Sequence, residues 1–104
     1  MPERDYELEL GPKDWMRVRI VTERGKVVDF LVQYETLIGE SYRAVVRYDC
    51  SHGFAHRDLL NRRGDVIDKW AFPEDMDFKE CLAHADQDLR TNWKRYKQWF
   101  IEKK

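Results

Sequence analysis

Six stretches of the chain alternate between apolar and polar residues before a single segment of helical period takes over. Tyr6, Leu8 and Leu10 alternate with Glu7 and Glu9, and Gly11-Pro12 ends the run. Met16, Val18 and Ile20 alternate with Arg17 and Arg19 between Trp15 and Thr22. A side-chain period of two is that of a half-buried strand. Glu23-Arg24-Gly25-Lys26 reads as a hairpin turn, with glycine supplying a positive φ. Val28, Phe30, Val32 and Tyr34 then share one face of a strand from about Val27 to Ile38. Gly39-Glu40-Ser41 turns the chain again. Parity puts Tyr42, Ala44, Val46 and Tyr48 together on the next strand, which ends at Cys50. Ser51-His52-Gly53 breaks the alternation as a bulge or turn would. Phe54–Leu60 and Val66–Phe72 read as the last two strands, joined by the turn residues Asn61 to Asp65.

The helical segment starts at Asp77, a good N-cap, with Glu80 three residues on in a capping-box arrangement. Its stripe is Phe78, Leu82, Ala85, Leu89, Trp93, Tyr96 and Phe100, a steady alternation of three- and four-residue steps. The pattern predicts an α+β fold: an antiparallel β-meander of five or six strands, all within about residues 6–72, with one long C-terminal helix over about 78–101 packed on the sheet. The 104 residues make a single domain, large enough to bury a core without staples. A helix of that length is roughly 36 Å long. An ordinary strand is only ~17–20 Å. The helix is therefore expected to overhang the sheet, leaving Trp99, Phe100 and Ile101 to be covered by a partner.

Composition changes this picture little. Hydrophobic residues make up 42% and exclude a disordered chain. The net charge of −1 gives no overall argument for nucleic acid. Acidic residues gather at the helix start and basic ones at its end, which suits the helix dipole. Cys50 and Cys81 lack metal-ligand or redox spacing and read as buried free thiols. No apolar run resembles a signal peptide or a membrane span, so a cytoplasmic location is expected.

Candidate chemistry concentrates in Arg47-Tyr48-Asp49-Cys50-Ser51-His52-Gly53-Phe54-Ala55-His56-Arg57-Asp58, which holds two of the three histidines. Three readings fit it. His52 and His56 can serve as base and acid for metal-independent RNA cleavage, with Arg47 or Arg57 stabilising the charged phosphorane. His52, His56 and Asp49 or Asp58 can instead ligate zinc or manganese. Or the acids pair with Arg43, Arg47 or Arg57 across strands, as structure or binding surface. The histidine on the helix, His84, reads as an exposed pair with Asp88 one turn on. Trp70 and Trp93 fall on apolar faces and read as core, while Trp99 suits a contact surface.

The runs Phe30-Leu31-Val32-Gln33-Tyr34-Glu35, Val45-Val46-Arg47-Tyr48-Asp49 and His52-Gly53-Phe54-Ala55-His56-Arg57-Asp58, with Asp88-Leu89 and Asn92-Trp93, resemble a small prokaryotic family of uncharacterised proteins. That resemblance implies one fold along nearly the whole chain and no particular activity. Arg47-Tyr48-Asp49 followed by His56-Arg57-Asp58 is also loosely similar to TumE-like toxin–antitoxin proteins, with a sparser histidine cluster. Two functions follow as expectations. One is an interaction module that self-associates or binds a protein partner through the helix end, with RNA as a possible partner. The other is a toxin-like ribonuclease acting through His52, His56, Asp49, Asp58, Arg57 and Arg47. Neither requires a cofactor or a metal.

Overall fold

The computed structural model describes residues 2–50 and 53–102. Strands β1 (Glu3–Gly11), β2 (Asp14–Glu23), β3 (Lys26–Ile38), β4 (Ser41–Asp49), β5 (His56–Leu60) and β6 (Val66–Ala71) precede one helix, α1 (Phe78–Glu102). The strands form one antiparallel sheet in chain order, a six-stranded meander. The fold class and the element order are those the hydrophobic pattern predicts. At the β2–β3 hairpin both Arg24 and Gly25 have positive φ. Such a turn follows the twist of its strands, and glycine meets half of its demand without strain.

Register sets which side chains share a face. Met16 pairs with Tyr34, Val18 with Val32, Ile20 with Phe30, Tyr34 with Val46 and Val32 with Tyr48. These residues face α1, which lies mainly over β3 and then β4. From the helix, Cys81, Ala85, Leu89 and Phe100 complete the buried core. Phe78 meets Phe30 edge-on, and Trp93 meets Tyr34 the same way. The Trp93 ring also reaches the β1–β2 turn. A Cβ on Gly11 would stand 2.9 Å from its Cη2 atom, so only glycine allows the indole to lie there.

Two expectations are corrected. The helix does not overhang its sheet at Phe100, which is 1% exposed. The reason is strand length: β3 has 13 residues and spans roughly 43 Å, while the 25-residue helix spans roughly 37 Å. Tyr42 and Ala44 do not share a face with Val46 and Tyr48. Tyr34 pairs with Val46 but Glu35 pairs with Ala44, so Val45 is an extra residue on β4. That bulge turns Ala44 onto the face of Glu35, away from the helix.

A buried carboxylate, as well as apolar packing, holds the helix to the sheet. Asp14 on β2 is buried; it accepts a 2.6 Å bond from the Tyr34 hydroxyl and a 3.0 Å bond from Lys97 of α1. Burial, then the bond to Asp14, pushes the Tyr34 phenol well above its ordinary pKa, so the hydroxyl stays a donor. Asp77 caps the helix through a 2.8 Å bond from the Glu80 amide. Lys97→Met removes the charged donor bonded to Asp14 while roughly preserving side-chain volume. It is expected to cost about 3 kcal/mol in urea unfolding, by leaving a buried carboxylate without its cation. Adding Asp14→Asn to Lys97→Met should recover part of that loss.

Candidate functional site

The polar residues of β4 and β5 divide between the two faces of the sheet. Tyr48 pairs with Arg57 and Arg57 with Trp70, so all three lie on the helix side. Asp49 pairs with His56, and Arg47 with Asp58, on the other face. The six residues expected to act together are therefore separated. Asp49, His56 and Asp58 converge, Arg47 stands beside them, and Arg57 points to the opposite side. His52 lies outside the described residues.

On the outward face, the His56 imidazole is the centre of a buried cluster. Its Nε2 is 3.0 Å from Asp49 Oδ1 and 3.6 Å from Asp58 Oδ2. Its Nδ1 faces the Phe54 carbonyl at 3.5 Å, and the Phe54 ring tilts against it. His56 is 2% exposed and Asp58 6%. The Lys69 ammonium, from β6, approaches Asp58 Oδ1 at 3.7 Å. Lys69 was not legible as part of this cluster from local pattern alone. The β5–β6 register, which pairs it with Asp58, is the signal that finds it. Arg47 donates to Gln33 at 2.7 Å. One ligand atom each from Asp49, His56 and Asp58 lies within 4.8 Å of the others, a grouping that can hold a metal ion.

On the helix side, Asp88 collects three donors. The hydroxyls of Tyr48 and Tyr96 reach Oδ2 at 2.6 Å each, and the Asn92 amide reaches Oδ1 at 2.7 Å. Burial opposes ionisation of Asp88. The three hydrogen bonds and nearby Arg57 outweigh it and hold the carboxyl below its ordinary pKa. Burial and the same bonds push the Tyr96 phenol up to about 12. Arg57 donates to Tyr96 at 3.3 Å and lies over the Trp70 ring. His84 is exposed as expected, but its ring packs against Tyr48, Trp70 and Phe72. Asp88 is occupied by the tyrosines. Trp70 is 40% exposed and so is not core, whereas Trp93 is half-buried against Tyr34. Cys50 and Cys81 are both buried free thiols. Burial, then the neighbouring Asp29, raises Cys50 to about 12, which favours the protonated thiol.

Two depressions mark the outward face. One, of about 190 Å³, is lined by Arg43, Arg47, Arg62 and Arg63, with Ala44, Leu60, Asn61 and Gly64. The other, of about 240 Å³, is lined by Trp15, Tyr42, Arg17, Glu7 and Glu35. The Val45 bulge sets Tyr42 beside Trp15. Simple alternation hides that pairing, since it assigns Tyr42 to the core face.

Fold and surface together define a small α+β domain with one sheet face sealed by a helix and the other open and charged. The chain belongs to the family described as a domain of unknown function (DUF7718), whose profile matches residues 1–104. No curated protein and no solved structure matches it. Among the described residues, no helix is long and apolar enough to cross a membrane.

The Asp88 site makes a pH prediction. Its carboxyl has a depressed pKa in the folded chain, so its stabilisation is fully present above the ordinary aspartate value of about 3.9. That stabilisation is lost as pH falls through the lower folded value. Asp88→Asn is therefore expected to cost about 2 kcal/mol at neutral pH, the scale of bonds to a charged acceptor. Urea unfolding of the two proteins should converge as the pH is lowered to about 2.

Proposed function

We propose that this domain is a binding module whose open sheet face takes single-stranded RNA. The observation that carries the reading is the depression lined by Arg43, Arg47, Arg62 and Arg63, with no carboxylate among its described lining residues; Asp65 pairs with Arg63 at 3.8 Å beside it, both side chains largely exposed. Guanidinium groups bind phosphate by paired N–H donors and remain charged at any working pH. Ala44 lines this depression, and Tyr42, two residues along β4, lines the neighbouring one with Trp15. Tyr42 is 47% exposed. Arginines that follow a backbone, beside aromatic rings on which bases can stack, are the ingredients of sequence-tolerant single-strand binding.

Hydrolysis is not part of this reading. His56 is buried, and Arg57 lies on the far side of the sheet from Asp49 and Asp58. The helix end is also a weaker partner surface than its sequence implies. Phe100 is buried within the chain, and the Arg62 guanidinium donates to the Ile101 carbonyl at 2.6 Å. That bond ties the helix terminus to the arginine cluster, so the module's basic surface and its helix end are one structural unit.

Fluorescence anisotropy with a labelled oligouridine tests the proposal. Binding should be saturable, with log K falling against log salt at a slope of about −3 if four phosphates are engaged. The double substitution Arg43→Glu/Arg63→Glu should weaken binding at least tenfold, and Tyr42→Ala should weaken it with the salt slope unchanged. Saturable binding that is indifferent to both changes, or no binding at about 50 mM salt, rejects this surface as an RNA site.

A further inference from the structure

We infer that Asp49, His56 and Asp58 form a binding site for one divalent transition-metal ion, zinc being the best fit. This goes beyond the RNA reading and does not depend on it. An imidazole nitrogen with carboxylate oxygens is a donor set suited to zinc and its first-row neighbours. The distances agree with it. Ligand atoms at the corners of a tetrahedron with bonds of about 2.1 Å are about 3.4 Å apart. His56 Nε2 stands 3.0 Å from Asp49 Oδ1 and 3.6 Å from Asp58 Oδ2, on either side of that value. All three ligand atoms lie within 4.8 Å, so a modest closure of the two carboxylates completes a three-residue face. The fourth position falls to water.

A separate observation points the same way. Asp58 is 6% exposed, and its buried Oδ1 has no hydrogen-bond partner among the described residues. Lys69 Nζ, at 3.7 Å, is beyond hydrogen-bond range. A buried carboxylate oxygen is costly to leave in this state, and a cation bound by the same carboxylate offsets the cost.

The second ring nitrogen of His56 is also set up for ligation. Without a metal, Nε2 faces two carboxylates and carries the proton. With Nε2 on the metal, the neutral ring carries its proton on Nδ1, which faces the Phe54 carbonyl at 3.5 Å. A carbonyl accepting from the distal nitrogen is the usual support of a metal-bound histidine. Lys69 is the competitor. Its side chain is half exposed and can swing into water when a divalent ion takes its place.

Chelator-treated full-length protein titrated with zinc chloride in a calorimeter tests the site, with cobalt(II) absorption as a report on the ligand field. One equivalent should bind per chain, with a melting temperature that rises with free zinc. Asp49→Asn should weaken binding at least tenfold. Lys69→Met, which retains all three ligands, should strengthen it. Asp49 is partly exposed and Lys69 is at the surface, so both variants can be checked for folding by the near-ultraviolet spectrum of the core aromatics. Zinc binding of equal affinity in the wild type and in Asp49→Asn would mean ligation elsewhere and overturn the proposal. So would the absence of any zinc-dependent change in heat, melting temperature or cobalt spectrum.

Discussion

Two tyrosine hydroxyls at the centre of the sheet constrain everything around them. Tyr34 and Tyr48 are fully buried on the helix face of β3 and β4. A buried phenol must donate its proton or forfeit a hydrogen bond. Each meets a carboxylate: Asp14 from the neighbouring strand and Asp88 from the helix. The carboxylates in turn need further donors. Lys97 and Tyr96, both on α1, supply them. The helix can therefore meet Tyr48 through Asp88, and the Tyr34–Asp14 pair through Lys97, in one axial and rotational setting only. Apolar packing of Leu89 and Ala85 decides that the helix lies on the sheet; the tyrosine–carboxylate pairs decide where. These bonds are directional and the apolar contacts are not, which is why the polar minority of the core specifies the pose.

Because α1 is fixed over β3 and β4, the two halves of the sheet have different surroundings. β6 is exposed along its whole length. β5 buries His56, Asp58 and Leu60 on its outward side. The chain thus has a second buried region, away from the helix, and it is polar. The long β3 strand connects the two regions. It carries Phe30, Val32 and Tyr34 toward the helix and Leu31, Gln33 and Glu35 toward the open face. The Val45 bulge adds Tyr42 to Trp15 on the open face, by rotating Tyr42 out of the core register. One inserted residue thus changes the chemistry of a surface without changing the strand order.

Most of the architecture was legible in the sequence, because it rests on local periods. Alternation from Trp15 through Tyr48 marks three strands, and the stripe from Phe78 to Phe100 marks the helix. The Asp77 cap and the Gly25 turn are local signals too, and both stand. What was hidden depended on register. Bulges at Val45, Val28 and Ile67 shift pairing by one residue, and a shift of one reverses every face beyond it. Tyr42 was misassigned for that reason. The candidate site was half legible. The segment 47–58 is rich in functional side chains, but only parity across β5 separates Arg57 from His56 and Asp58. Lys69 and the Asp88 pair with Tyr48 come from distant parts of the chain, and no spacing rule joins them. An ordinary strand length predicts a helix that overhangs its sheet, and β3, with 13 residues, exceeds that length.

The buried polar cluster on β5 is hard to account for by stability alone. An imidazole between two carboxylates, with the ring and Asp58 buried and Asp49 partly so, loses solvation on three ionisable groups. Well-packed apolar residues at the same positions would commonly be as stable or more so. Leu60, on the same outward side of β5, shows that the strand can bury a plain hydrocarbon there. The polar alternative therefore carries a free-energy cost that the fold does not require. The helix side offers the contrast. Asp88 is as demanding a group, yet both of its oxygens accept hydrogen bonds, and its ionisation is favoured by the site. Asp58, by comparison, retains a buried oxygen without a hydrogen bond. One carboxylate completes a network and the other leaves one open. The difference separates a carboxylate whose two oxygens are both hydrogen-bonded within the fold from one whose remaining oxygen faces the Lys69 ammonium at 3.7 Å without a hydrogen bond.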